Sequence, residues 1–244
     1  MIRAWGITDQ GAVRSQNQDA YYLKFLREDL VLAIVCDGMG GAKAGNVASS
    51  LAVDTAVEYL ERIPPEKLAN HGTSRMCEAA RLANREVCRR SCRDFDCHGM
   101  GTTMVSLLLS KNKVGILNIG DSRAYRINDE GITKVTRDHS VVEELVYRGE
   151  ITPEQARLHP NKNLITRCLG NDSDSRPDLF ELKVKPGDYL LLCTDGLSNV
   201  LTDQEILYEV LHGENTDSAC QRMVNIALER GAPDNVTVVL IEVK

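Results

Sequence analysis

The chain has 244 residues, with 29 Lys and Arg against 35 Asp and Glu, for a formal net charge of −6. A pI of about 5.5 excludes reliance on a basic nucleic-acid footprint, which carries a pI above about 9. No apolar run approaches the roughly 20 residues of a membrane span. The opening Met1-Ile2-Arg3-Ala4-Trp5-Gly6 lacks the charged-then-apolar layout of a secretory signal. A cytoplasmic protein is expected, with neither nucleic acid nor membrane as partner. Its eight cysteines are expected as thiols, with Cys36 and Cys193 buried in apolar strands.

In chain order, strands are predicted over Ile2–Thr8, Ala20–Phe25 and Leu30–Cys36. Helices follow over Asn46–Leu60 and Ser74–Arg90, each with apolar residues on one face, and Pro64-Pro65 breaks the chain between them. Strands return at Thr102–Leu109 and Val114–Gly120, joined by Ser110-Lys111-Asn112-Lys113 as a hairpin. Ala124–Asn128 is a further strand, and Asn128-Asp129-Glu130-Gly131 marks another hairpin turn. His139 to Pro177 is a polar excursion with short helical pieces at Val141–Arg148 and after Thr152-Pro153. Long irregular insertions in compact domains are usually functional or disordered. Tyr189–Thr194 and Val236–Val243 are the last strands; helices at Asp203–Leu211 and Asp217–Arg230 lie between them, with Thr202 as N-cap and Gly231 as C-cap. Strands in runs and helices in pairs argue for α+β, with helices packed on antiparallel sheets.

Five aspartates recur at the ends of apolar strands or in turns beside Gly or Asn: Asp19, Asp37, Asp121, Asp195 and Asp234. A strand followed by Asp-Gly sets a carboxylate on a rigid base, and the Gly lets backbone carbonyls approach a ligand. Carboxylates, a carbonyl and water are the ligands of Mg²⁺ or Mn²⁺. Paired ions of this kind suit displacement at phosphorus. A lone Asp-Gly is more often a turn, and Asp19 and Asp234 also fit helix caps. Spacing alone does not show that the five converge.

The segments GAVRSQNQDA, VCDGMGGAKAGNVAS, GTTMVSLLL, LNIGDSRAYRI, TRDHSVVEELVYRGEIT, LITRCLG, LLLCTDGLSNVLTDQEI and GAPDNVTVVLIEV resemble, in order and over nearly the whole chain, the motifs of the metal-dependent serine/threonine protein phosphatases of type 2C in their bacterial form. The resemblance implies one catalytic domain over 1–244, a four-layer α-β-β-α sandwich of two antiparallel sheets flanked by helix pairs, with 139–177 as a flap beside the active site. It implies two or three Mn²⁺ or Mg²⁺ ions. Asp37 matches the carboxylate bridging two metals, Gly38 the residue ligating through its carbonyl, and Asp195 and Asp234 the remaining primary ligands. Asp121 matches a position linked to a weaker third metal, Asp19 a carboxylate near the metal-bound waters, and Arg14 the phosphate-binding arginine. The implied reaction is hydrolysis of phosphoserine and phosphothreonine by a metal-bridging water. The partners implied are phosphoproteins, including a Ser/Thr kinase, and the expected state is a monomer. The competing readings are a phosphatase dedicated to a phosphorylated anti-sigma-factor antagonist and a catalytically silent phosphoprotein-binding module.

Met39 stands where some members of that family carry His, which removes an imidazole acid and leaves a packing thioether. The leaving-group proton must then come from metal-bound water or from outside the motif, with His139 and the flap as candidates. Cys88, Cys92, Cys97 and His98 meet zinc-ligand spacing only loosely, so helix and loop thiols are expected there. Arg89, Arg90 and Arg93 read as a solvated face. The sequence ends one residue after the last strand, so no tethering segment is expected.

Overall fold

The computed structural model describes residues 1–170 and 175–244, with the backbone alone at 41–43; the part of the polar excursion at 171–174 lies outside the described residues. Strands β1 (Ile2–Asp9), β2 (Asp19–Arg27) and β3 (Leu30–Met39) lead to helices α1 (Gly41–Glu61) and α2 (Pro65–Arg93). Then come β4 (Gly101–Thr102), β5 (Met104–Ser110), β6 (Lys113–Ile119), β7 (Arg123–Asn128) and β8 (Gly131–Lys134). The flap holds α3 (Val141–Tyr147) and α4 (Pro153–Leu158). β9 (Asp178–Lys183), β10 (Tyr189–Cys193), α5 (Asp195–Ser198), α6 (Asp203–Leu211), α7 (Thr216–Glu229) and β11 (Val236–Val243) close the chain.

The strands form two antiparallel sheets, ordered β1-β11-β10-β7-β8 and β2-β3-β5-β6-β9, with β4 paired to β3. Strand periodicity explains the continuous apolar runs. Val31, Ala33 and Val35 of β3 pack between the sheets with Leu190, Leu192, Val239 and Ile241. Leu30, Leu32, Ile34 and Cys36 of the same strand face α1 and α2, against Ala48, Ala52 and Ala83. Leu191, Cys193, Val238 and Leu240 face α6 and α7, against Ile206, Met223 and Val224. The central strands β3, β10 and β11 are therefore buried on both faces, and each fully covered Val or Leu contributes about 1.5–3 kcal/mol. This is the expected α-β-β-α order of layers.

Several boundaries differ from expectation. The strand predicted at Thr102–Leu109 is broken at Thr103 into β4 and β5. β3 runs through Asp37 to Met39, so Asp37-Gly38 is strand rather than turn. Asp195-Gly196 opens the four-residue α5. Helix α2 starts at Pro65, nine residues before the expected Ser74, and kinks at His71. β9 was not expected. Thr202 caps α6 through a reciprocal box with Glu205, and Gly231 sits just past α7 at φ +92. The eight cysteines are free, with Cys36 and Cys193 fully buried.

Antiparallel pairing brings strand ends together. The start of β2 lies beside the end of β3, which lies beside the start of β5 and so the end of β6. The end of β10 lies beside the start of β11. All five aspartates sit at these ends.

Candidate active site

Asp19 opens β2 directly opposite Asp37 of β3. Its carboxylate Oδ2 accepts from Thr194 Oγ1 at 2.9 Å and Thr237 Oγ1 at 2.6 Å. Thr237 is in turn hydrogen-bonded to Thr8 Oγ1 at 2.7 Å, and Thr8 accepts from Asn17 Nδ2 at 2.8 Å. With Thr237 donating to Asp19, the hydroxyls order one way, and the chain ties β2 of one sheet to β1 and β11 of the other. Asp19 Oδ1 is buried with no hydrogen-bond partner.

Asp37 is held by its backbone. Its N–H donates to Thr103 Oγ1 at 2.9 Å, while its carbonyl accepts from Thr103 N–H at 2.9 Å and Thr102 Oγ1 at 2.8 Å. Gly38 is hemmed in: a Cβ there would lie 2.0 Å from the Gly45 carbonyl oxygen and 2.6 Å from that of Gln18. Gly196 is similar, since a Cβ would lie 1.9 Å from the carbonyl oxygen of Asn235. Asp195 Oδ2 accepts from Asn199 Nδ2 at 2.9 Å, and Asp195 Oδ1 is buried without a partner. Arg14 Nη2 meets Asp234 Oδ2 at 2.6 Å, with the arginine side chain half-exposed. Arg14, Asp37, Gly38, Met39, Asp121, Asn163, Asp195 and Asp234 line one cleft of about 480 Å³.

The carboxylates disturb one another. Burial pushes Asp19 up to about 7, with Asp195 and Asp234 adding to the rise and the two threonine hydroxyls opposing it. Burial, then Asp195 and Asp138, push Asp121 up to about 8. Asp37 is driven well above the carboxylate range by burial and then by Asp19, Asp195, Asp121 and Asp234. Burial and Asp234 raise Asp195. Four acids raised together, two with orphaned buried oxygens, form a site that fits divalent cations. Among the described residues no three His, Cys, Asp or Glu side chains close round a single ion. Mg²⁺ and related ions are usually held by one or two carboxylates with several waters, and this open set is of that type.

The expected site residues thus come together: Asp19, Arg14, Asp37, Gly38, Asp121, Asp195 and Asp234. Asp19 and Asp234 cap no helix. Met39 lines the cleft, half-buried, beyond the packing role expected of it. His139 is buried; its Nδ1 accepts from Gly120 N–H at 3.1 Å, and its Nε2 lies 3.1 Å from Asp178. Burial lowers its pKa, and with both ring nitrogens engaged the imidazole links β6, the flap and β9. Arg89 and Arg90 pair with Glu86 and Asp94, as befits a solvated face. Cys97 is buried and Cys88 Sγ donates to Asn84 Oδ1 at 3.7 Å. Thr8, Thr103, Thr194, Thr237 and Asn235 escaped sequence reasoning, although the last four lie inside the motif segments. A second cleft, about 510 Å³ between kinked α2 and β5, β6 and β9, carries Lys113, Lys183 and Glu181 over apolar residues and has no carboxylate cluster.

A two-sheet sandwich with helices on both outer faces and an acidic cleft at one end defines a class, and the comparisons agree. The sequence pattern described as protein phosphatase 2C matches residues 11–238. The chain is 37% identical over 243 residues to the serine/threonine protein phosphatase PstP of Mycobacterium tuberculosis, covering 100% of this chain and 45% of that protein. It therefore spans about half the length of that relative. To the serine/threonine phosphatase Stp of Listeria monocytogenes it is 35% identical over 236 residues, covering 96% of this chain and 93% of that one. The crystal structure of the PstP catalytic domain in complex with two manganese ions superposes with a TM-score of 0.87 at 34% identity, covering 100% of this chain and 99% of that one. The chain belongs to the protein phosphatase 2C family, whose members are metal-dependent serine/threonine phosphatases.

Proposed function

We propose that this chain hydrolyses phosphoserine and phosphothreonine esters on proteins with Mn²⁺ or Mg²⁺, residues 1–244 forming the catalytic domain. The observation that carries the reading is the convergence of four aspartates and one arginine on a single cleft, with Asp19 buried directly opposite Asp37. Asp37, Asp195, Asp234 and the Gly38 carbonyl would hold the primary ions, and Asp121 a further one. When bound, such ions neutralise phosphoryl oxygens and lower the pKa of water towards neutrality.

The chain's own groups divide the remaining work. Arg14 is paired with Asp234, and a phosphate offers its guanidinium a bidentate partner that a single carboxylate oxygen does not. Asp19 Oδ2 is committed to two threonine hydroxyls, so Oδ1 is the atom left to take a proton from the attacking water. Met39 has no proton to give, and both nitrogens of His139 are engaged, by Gly120 and Asp178. The flap, which brings Asn163 and Ile165 to the cleft, is the surface that a phosphoprotein meets next to the phosphate.

This reading makes the protein the counterpart of a Ser/Thr kinase in cytoplasmic signalling, acting as a monomer. No described helix is long and apolar enough to cross a membrane. The test is release of phosphate from a phosphothreonyl peptide in excess chelator and after Mn²⁺ is restored. Turnover that appears only with the ion supports the reading. Binding of the phosphopeptide without turnover in saturating Mn²⁺ makes the chain a silent binding module.

A further inference from the structure

Arg14 lies in the loop between β1 and β2, where neither strand's ladder fixes it. Its half-exposed side chain has a carboxylate partner that must be given up when phosphate binds. Something else has to hold the loop. Asn235, the residue before β11, is buried, and all three of its side-chain hydrogen bonds go to that loop. Its Nδ2 donates to the carbonyls of Gln10 at 2.8 Å and Gln16 at 3.0 Å, and its Oδ1 accepts from the N–H of Gln18 at 2.8 Å. These anchors bracket Arg14 on both sides. Two further features confine the same loop: Ala12 N–H donates to the Ala232 carbonyl at 3.1 Å, and Gly11, at φ +76, has no room for a Cβ, which would lie 2.2 Å from the Asp234 carbonyl oxygen. Gln18 passes the constraint on, because its carbonyl accepts from Gly38 N–H at 3.0 Å.

We infer that Asn235 is the positioning residue for Arg14, fixing the loop so that the guanidinium stays poised over the cleft once its bond to Asp234 is exchanged for phosphate. This rests on the assignment of Arg14 to phosphate binding. The alternative is that Asn235 serves its neighbour Asp234, whose Oδ1 accepts from the Asn235 N–H at 2.9 Å. That contact is made by the backbone and survives any change of the amide side chain.

The experiment uses the Mn²⁺-loaded protein with p-nitrophenyl phosphate as substrate and inorganic phosphate as inhibitor, for Arg14→Ala, Asn235→Ala and the double variant. Removing one charge-assisted phosphate contact corresponds to about tenfold in KM. Asn235→Ala is expected to raise KM and the phosphate inhibition constant by about that factor, leaving kcat and the half-saturating Mn²⁺ concentration within about twofold. In the double variant it should add no more than about twofold to the loss from Arg14→Ala, because neighbouring groups that act as a unit are not additive. If Asn235→Ala does not fold, Asn235→Asp keeps the acceptor for Gln18 and loses both donations, and the same readings apply. An unchanged KM with weaker Mn²⁺ binding would overturn the inference in favour of Asp234, and full additivity would overturn it as well. An Arg14→Ala variant with wild-type KM would instead overturn the assignment of Arg14, whatever Asn235 does.

Discussion

Asp19 and Asp37 stand directly opposite each other across the β2–β3 ladder, two acids in register at the edge of a buried site. Like charges so placed are destabilising, and Asp19 adds to the burial that holds Asp37 well above the carboxylate range. The fold keeps this arrangement by hydrogen-bonding one of them, Asp19, to two hydroxyls and pinning the backbone of the other on Thr102 and Thr103.

Burial of two of the acids predicts how stability without metal depends on pH. Asp19 is pushed up to about 7 and Asp121 to about 8; both exceed the ordinary Asp value of about 3.9 that applies when the chain is unfolded. The folded state binds these protons more tightly, so their contribution favours folding at low pH and is lost as pH rises from about 4 to 8. Melting in chelator is expected at a lower temperature near pH 8 than near pH 5.5, with Mn²⁺ at a hundredfold excess over Kd returning about 2.7 kcal/mol. A melting temperature in chelator that is flat or rises across that window contradicts the prediction.

Thr237→Val keeps the shape of the side chain and removes the shorter of the two hydroxyl bonds to Asp19 Oδ2. It also removes the hydroxyl that Thr8 is bonded to, leaving Thr8 only the bond it accepts from Asn17. Leaving a buried acceptor short of a donor costs about 1–3 kcal/mol. Urea unfolding of the metal-free variant should show a loss in that range, and kcat with Mn²⁺ should fall while KM changes little. An unchanged kcat would mean that the orientation of Asp19 is immaterial to turnover.

Gly38→Ala sets a methyl group 2.0 Å from the Gly45 carbonyl oxygen, backbone against backbone, so no side-chain rotation relieves it. Helix α1 must move off β3, at a cost above the usual overpacking range of about 1–3 kcal/mol. Loss of Mn²⁺ binding together with a lower melting temperature is expected, measured by calorimetric titration. Wild-type affinity for Mn²⁺ in this variant would remove Gly38 from the ligand set.

Expulsion of a serine or threonine alkoxide needs a proton, whereas a good aryl leaving group hardly does. With Met39 in the cleft and His139 held by Gly120 and Asp178, no imidazole is placed to supply it. The pH profile of kcat/KM for an alkyl phosphate should therefore keep its shape in His139→Gln, even if that variant melts earlier. A titration near pH 6–7 in the wild type that vanishes in His139→Gln would make the histidine the general acid.

The layers of the fold were legible because two-sided burial writes itself as unbroken apolar runs, such as Leu30–Cys36 and Tyr189–Cys193. Strand β9 was not, because Asp178–Lys183 is a short edge strand with Glu181 and Lys183 facing out. The first two turns of α2 were hidden by His71 and Gly72, which interrupt the helical pattern. At the site, the aspartates stood out through their Gly and Asn neighbours. The groups that orient them did not. Thr237 is 218 residues from Asp19, and Asn235 is 217 from Gln18, so only the closed sheets show that they touch. Motif context also concealed that Asp37 belongs to a strand and Asp195 to a helix, since Asp-Gly suits a turn equally well.

The most direct test is kcat for a phosphothreonyl peptide as a function of free Mn²⁺, measured for the wild type and for Asp37→Asn. Asp37 is the carboxyl on which Asp19, Asp195, Asp121 and Asp234 all act. The wild type should show no turnover in chelator and saturate with Mn²⁺, while Asp37→Asn should remain at least about 10²-fold slower at every Mn²⁺ concentration, the scale expected when a group acting in the transition state is removed. Near wild-type kcat for Asp37→Asn at saturating Mn²⁺, or full activity of the wild type in excess chelator, would contradict the account.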